Sequence, residues 1–238
     1  MEEKIRGVTL RGTNYKESDK ILTLFTLEKG KISVSARGVR KANAKWKNTA
    51  EPFCFSKSVL IEKSGRYTLK ESETLDFFYP LRTDMKKYYS AFSALEFTNS
   101  FMQENMVAEE YFVLFIEFLK DLAYGDTNPK RLLIRFFYDA LKDVGLGVNF
   151  TACARCGNEI KSKVFLSIDS GGSVCENCRT QGEKEYSIST YDYVKNLIEE
   201  NGEINDEKSN DALKFFAYYV SATSGVEIKS ISPLIDLR

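Results

Sequence analysis

Cys153-Ala154-Arg155-Cys156 is answered, after eighteen intervening residues, by Cys175-Glu176-Asn177-Cys178. Two Cys-x-x-Cys turns at this separation have the spacing of a four-thiolate zinc site. A tight turn within each pair lets both sulfurs face one ion, and two such knuckles complete a tetrahedron. Gly157 and the Gly171-Gly172 pair supply permissive backbone for the turns and for a connecting hairpin. Four thiolates leave no open coordination position, so a metal here braces structure and does not catalyse. The rival readings are a redox Cys-x-x-Cys pair or disulfides. A redox motif normally comes as one pair near a βαβ pattern, and an odd total of five cysteines argues against a closed disulfide framework. The expectation is one structural Zn2+ per chain, held by Cys153, Cys156, Cys175 and Cys178.

Upstream of the cysteines the chain reads as helix. Met85 to Met102 places Tyr88, Tyr89, Phe92, Leu95 and Phe101 at three- and four-residue steps, and Tyr111 to Leu122 is strongly apolar, hence largely buried. Asp126-Thr127-Asn128-Pro129 is a good helix entry. The stripe Leu132, Leu133, Phe136, Phe137, Ala140, Leu141 and Val144 follows, closed by Gly145 and Gly147. Beyond the cysteines, Tyr193 to Ile198 and Ala212 to Val220 give two further amphipathic helices, the second ending near Gly225. Aromatic stripes at this spacing read as core. The cysteine segment is therefore inserted between helices.

From Ile5 to Phe78 the pattern is different. Ile5–Leu10, Ile21–Leu27, Ile32–Ala36, Phe53–Ile61 and Tyr67–Leu69 read as five short strands with no long helix between them, which fits a small OB-type barrel. Cys54 reads as a buried apolar residue. Glu17 and Asp19 read as capping or ion-pairing groups with Lys16 and Lys20. The fold class is α+β: residues 1–80 an OB-fold nucleic-acid-binding domain, 81–150 the first part of a helical domain, 151–180 a four-cysteine zinc finger, and 181–238 the second helical part.

Charge singles out one loop of the barrel. The net charge is zero, but residues 1–80 carry sixteen Lys/Arg against ten Asp/Glu, and the remainder carries the opposite imbalance. Between Lys29 and Ala50 stand Lys29, Lys31, Arg37, Arg40, Lys41, Lys45 and Lys47, with no acid among them, and the sole tryptophan, Trp46, lies between two of them. Cations follow phosphates while an aromatic ring stacks on a base, so this loop suits single-stranded nucleic acid. The structural alternative is a solvated loop with Trp46 tucked against the barrel. Arg155, Lys161 and Lys163 are weaker candidates, since Asp169, Glu176 and the acidic remainder surround them in sequence.

Much chemistry is excluded. The chain has no histidine, which removes Ser-His and Cys-His nucleophiles and imidazole acid–base work. There is no phosphate-binding loop signature. The N-terminus opens Met1-Glu2-Glu3-Lys4 with no apolar signal core, and no run reaches membrane-span length. The expectation is a cytoplasmic protein without a membrane partner.

Several short motifs then converge. Gly7-Val8-Thr9-Leu10, Tyr15 to Lys20, Leu24-Phe25-Thr26 with Gly30-Lys31, Ala36 to Lys41, and Pro52-Phe53 resemble in order and spacing the opening barrel of the RecO family of DNA repair proteins. The two cysteine pairs, with Gly157 and Gly171-Gly172-Ser173-Val174, match that family's zinc-bearing members. Residues 44–50 depart from the family's Ser/Arg-rich loop, and Gly147-Val148-Asn149 replaces a proline common before the first pair. The resemblance implies a non-enzymatic recombination mediator of the RecFOR pathway. It implies binding of single- and double-stranded DNA, annealing of complementary strands, a complex with RecR, contact with the C-terminal tail of single-stranded-DNA-binding protein, indirect help to a recombinase, and a nucleoid-associated location. An acidic tail needs a basic, partly apolar groove, for which Lys86, Lys87, Lys130 and Arg131 are candidates. The alternatives are a zinc-ribbon RNA-binding or transcription-associated adaptor, and a thiol-redox enzyme.

Overall fold

The computed structural model describes residues 1–199 and 205–237, and among these the chain forms eight strands and six α-helices. It divides into two compact units: Met1–Asp84 with Leu95–Tyr124, and Met85–Ala94 with Gly125–Arg238.

The first unit is built on five strands: β1 (Glu2–Tyr15), β2 (Asp19–Thr26), β3 (Gly30–Ala36), β4 (Phe55–Lys63) and β5 (Arg66–Asp76). They close a barrel in the order β1-β2-β3-β5-β4, with β4 returning to β1 and only β3 and β5 running parallel. This is an OB-like barrel. The short stretch of alternation at Ile5–Leu10 understates β1, which has fourteen residues. Its first half pairs with β4 and its second half with β2, and the register shifts between Thr9 and Arg11. A shift of this kind bends a strand, so one strand can serve two neighbours around a closed barrel. Phe53, expected to begin the fourth strand, instead sits in the left-handed region at φ 69°. It is buried, its N–H donates to the Thr9 carbonyl at 3.0 Å, and the Arg82 guanidinium lies 5.2 Å from its ring centre. Cys54 is fully buried, as expected.

Inside the barrel, Ile5, Leu22, Leu24, Ile32, Val34, Leu60 and Leu69 form one cluster, with Trp46 and Tyr67 packed partly against it. These residues sit at alternate positions because successive strand side chains point to opposite faces. The other face of β2 is covered by α2 (Glu109–Tyr124), where Tyr111, Phe112 and Phe115 surround Phe25 at centroid distances of 5.8, 5.5 and 6.2 Å. Gly30 turns β2 into β3 at φ +66°, and a Cβ there would stand 1.8 Å from the Met106 carbonyl oxygen. L side chains rarely adopt that φ, and the close approach of the Met106 carbonyl leaves no room for a Cβ.

The second unit takes the start of α1 (Met85–Phe101), then α3 (Pro129–Asp143), α4 (Ile188–Ile198), α5 (Asp206–Ser224) and α6 (Ile231–Asp236). Asn128 caps α3 by accepting from Lys130 N–H at 2.9 Å and Arg131 N–H at 3.4 Å, with Pro129 in the first turn. This is the entry read from the sequence. The buried stripe of α3 includes Ile134, while Leu132 and Val144 are only half-buried. Phe137 meets Phe216 of α5 at 6.1 Å. Between α3 and α4 lies a three-stranded sheet: β6 (Val164–Ser167) flanked by β7 (Gly172–Cys175) and β8 (Lys184–Tyr186). The Gly171-Gly172 turn joins β6 to β7 as a hairpin. Among the described residues no helix is long and apolar enough to cross a membrane.

Candidate metal centre and nucleic-acid surface

The hairpin brings the two cysteine pairs together. Each knuckle is shaped by its own backbone: Gly157 N–H donates to the Cys153 carbonyl at 2.9 Å, and Cys153 N–H to the Asn158 carbonyl at 2.8 Å. Across the pairs, Cys175 N–H donates to Cys153 Sγ at 3.4 Å. The four Sγ atoms of Cys153, Cys156, Cys175 and Cys178 all lie within 4.8 Å of one another, with Cys156 and Cys175 at 3.9 Å. A tetrahedral centre with arms of about 2.3 Å separates its sulfurs by about 3.8 Å. The cluster can therefore hold a metal ion, and its all-sulfur donor set suits a thiophilic one.

The thiol energetics favour a cation. Burial raises the Cys153 thiol, but the N–H groups of Cys156, Cys175 and Arg155 outweigh it and bring the pKa down to about 6. Cys178 moves up to about 12 because hydrogen bonds with the sulfurs of Cys156 and Cys175 favour its protonated form. A divalent ion held by these four sulfurs would offset part of the crowded charge and favour all four groups as thiolates.

Arg155, between the first two cysteines, ties the site together. Its guanidinium donates to the Cys178 carbonyl, to Ser167 Oγ at 3.1 Å, and through both Nη atoms to the Glu183 carboxylate. Burial pushes Glu183 up, but Arg155 and the Thr180 N–H dominate and hold it down at about 2. Sequence spacing carries no sign of this clamp, because Glu183 lies outside both knuckles. Arg155 is thus committed within the segment, and Lys163 is paired to Glu176 at 2.6 Å and Lys161 to Glu159 at 3.3 Å.

The cations of the barrel fall into two groups. Lys29 is half-buried, paired to Glu3 at 2.6 Å and set 5.6 Å from the Tyr67 ring centre. Lys31 donates to the Asn99 carbonyl at 2.6 Å. These two are held by the fold. Arg37, Arg40, Lys41, Lys45 and Lys47 are exposed, and among the described residues none of them forms an ion pair. They lie on a run of turns rather than a regular element. Trp46 is half-buried against the barrel core, so its ring is partly committed to packing. Asp19 caps the loop: its carboxylate accepts from Gly38 N–H at 2.8 Å and from Ser18 Oγ at 3.1 Å.

The proposed groove cations of the second unit fare differently. Lys130 is 1% exposed, and its ammonium donates to Asn210 Oδ1 at 2.8 Å. It belongs to the core and is out of reach of a peptide, because its helical position turns it inward toward α5. Lys86 faces Asp206 at 3.9 Å, and Lys87 donates to the Gly125 carbonyl at 3.5 Å. A cleft of about 230 Å³ lies elsewhere, between β8, α4 and α5. Leu166, Tyr186 and Phe215 line it, with Lys184, Lys214 and Tyr218 also at its walls. Lys184 Nζ stands 4.4 Å from the Tyr218 ring centre, and Lys214 pairs with Asp211 at 3.0 Å.

Comparison with known proteins gives a consistent result along the whole length. A family model described as "Recombination protein O N terminal" matches residues 1–78, and one described as "Recombination protein O C terminal" matches residues 82–231. A DNA repair protein RecO of Clostridium novyi (strain NT) is 30% identical over 234 residues, covering 96% of this chain and 91% of the relative. The protein of the same name from Clostridium perfringens (strain 13 / Type A) is 31% identical over 194 residues, covering 80% and 78%. That from Anaeromyxobacter sp. (strain K) is 33% identical over 178 residues, covering 74% and 70%.

Proposed function

The chain belongs to the RecO family of DNA repair proteins, and from that premise we propose that it is a non-enzymatic recombination mediator. It binds single- and double-stranded DNA through the exposed loop cations, anneals complementary strands, and with RecR assists recombinase loading in the nucleoid. The observation that carries this reading is the set of five exposed cations from Arg37 to Lys47, which no carboxylate among the described residues pairs with. Unpaired surface cations displace counterions from a polyanion, and annealing needs little more than this neutralisation of two strands. Lys29 and Lys31 serve as supports for the loop and Trp46 as its packing anchor.

The metal is zinc, and its role is structural. The four cysteines would hold it, Arg155 and Glu183 would fix the two knuckles against each other, and no ligand position is left for substrate. The acidic tail of single-stranded-DNA-binding protein docks in the cleft beside Lys184, where an apolar floor adjoins an ammonium group that forms no ion pair among the described residues; Lys214 is paired with Asp211 on the same wall, and Lys130 has no part in it. The test is strand annealing on complementary oligonucleotides coated with the cognate binding protein. Acceleration that disappears when Arg37, Arg40, Lys45 and Lys47 are neutralised supports the reading. A protein that ignores oligonucleotides in dilute buffer, or prefers RNA in competition, overturns it.

A further inference from the structure

We propose that Tyr15, at the tip of the β1–β2 hairpin, is the base-stacking platform for a single strand, with Lys16, Arg37 and Arg40 holding the phosphates beside it. This rests on the nucleic-acid reading of the barrel and specifies where a base goes. The sequence offers Trp46 for that role, but its ring is half-buried against the core. Tyr15 is 48% exposed, and among the described residues its hydroxyl makes no hydrogen bond. An exposed aromatic ring on a strand end leaves apolar area to solvent, which base stacking covers.

The charge around the ring is of the matching sign. Lys16 Nζ lies 5.4 Å from the ring centre. Arg40 reaches across from the basic loop, its Nη1 donating to the Lys16 carbonyl at 3.1 Å and its backbone N–H to the Ser18 carbonyl at 3.0 Å. Gly38 N–H and the Asp19 carboxylate, 2.8 Å apart, close a further link between the same two segments. Hairpin tip and basic loop are therefore cross-tied before any ligand arrives, which lowers the ordering needed on binding. Glu17 is exposed on the same tip; it opposes a phosphate and supplies an independent probe of where the strand runs.

The test uses the full chain and three ligands of equal length: an oligothymidylate, the corresponding abasic strand, and a duplex. Tyr15→Ala weakens oligothymidylate binding roughly tenfold, and Tyr15→Phe keeps it. On the abasic strand and the duplex, Tyr15→Ala matches the parent protein. Glu17→Gln tightens the single strand a few-fold at low salt. Emission of Trp46, the only tryptophan, stays unchanged in each free variant if the barrel is intact. An oligothymidylate affinity unaffected by Tyr15→Ala, an equal loss on all three ligands, or no response to Glu17→Gln overturns the proposal. If the parent protein binds none of the three, the nucleic-acid reading itself fails.

Discussion

At the scale of single residues, Asp19 shows that the sign of a charge and its use can diverge. It is an acid beside a basic loop, yet the Gly38 N–H holds its carboxyl below the usual range, with help from Ser18, Lys16 and Arg37. Simple electrostatics expects its removal to tighten DNA binding. The geometry expects the reverse, because Asp19→Ala releases the loop from the hairpin. Filter-binding or anisotropy titration of Asp19→Ala should give weaker binding than the parent; tighter binding would show that the brace is irrelevant. Glu183 gives a pH prediction. Its folded pKa, near 2, lies below the ordinary carboxylate value, so its stabilisation is present above about 4.3 and fades as pH falls toward the folded value. Glu183→Gln should therefore destabilise the cysteine segment at pH 7, and the gap to the parent should narrow between pH 5 and pH 3 in urea titrations. Asp19 is legible in the sequence as a capping group but its partner is not, and Glu183 carries no local signal at all. The Asp19 and Glu183 partners lie nineteen and twenty-eight residues away, beyond any spacing rule.

Among the elements, the cysteine knuckles are legible because the chemistry forces them: four sulfurs must meet one ion, and only short spacings allow it. Replacing Cys153 and Cys175 together with serine should abolish metal uptake, measured as about one ion per chain in the parent. Hydrogen exchange should then rise first in the β6–β8 sheet, while the barrel keeps its protection. Exchange rising equally in the barrel would contradict a locally confined role. Helix α1 is less legible. The sequence points to Tyr88, Tyr89, Phe92 and Phe101, but those are only partly buried, whereas Ser90, Ala91, Ser93, Ala94 and Thr98 are fully buried. Small polar residues look like surface in a periodicity count. Two of these hydroxyls find partners inside: Ser93 donates to the Tyr89 carbonyl at 2.9 Å, and Thr98 meets the Tyr111 hydroxyl at 2.9 Å. The strands show themselves by alternation, but the full length of β1 does not, since nothing local says that one strand has two neighbours.

Taken as a whole, the molecule is neutral, but its exposed loop cations are concentrated between Arg37 and Lys47. Affinity for a single strand should fall by about 0.7 log units per log unit of salt for each phosphate contacted. Neutralising Arg37, Arg40, Lys45 and Lys47 should lower that slope by as much as ~3, whereas neutralising Lys29 and Lys31 should act mainly on thermal stability. A slope unchanged by the fourfold variant would move the contact off this loop. The first unit also recruits Leu95–Tyr124 from far along the chain. A fragment ending at residue 80 lacks the three rings that enclose Phe25 and leaves Gly30 without the Met106 carbonyl. Losing the burial of Phe25 alone removes about 1.5–3 kcal/mol. Circular dichroism of that fragment should show no cooperative melt at the full-length temperature, and a melt as high as the parent's would refute it. Because the first unit draws on Leu95–Tyr124, gene fusion that borrows the barrel as a portable cassette must carry the chain on to Tyr124 and not stop at the last strand.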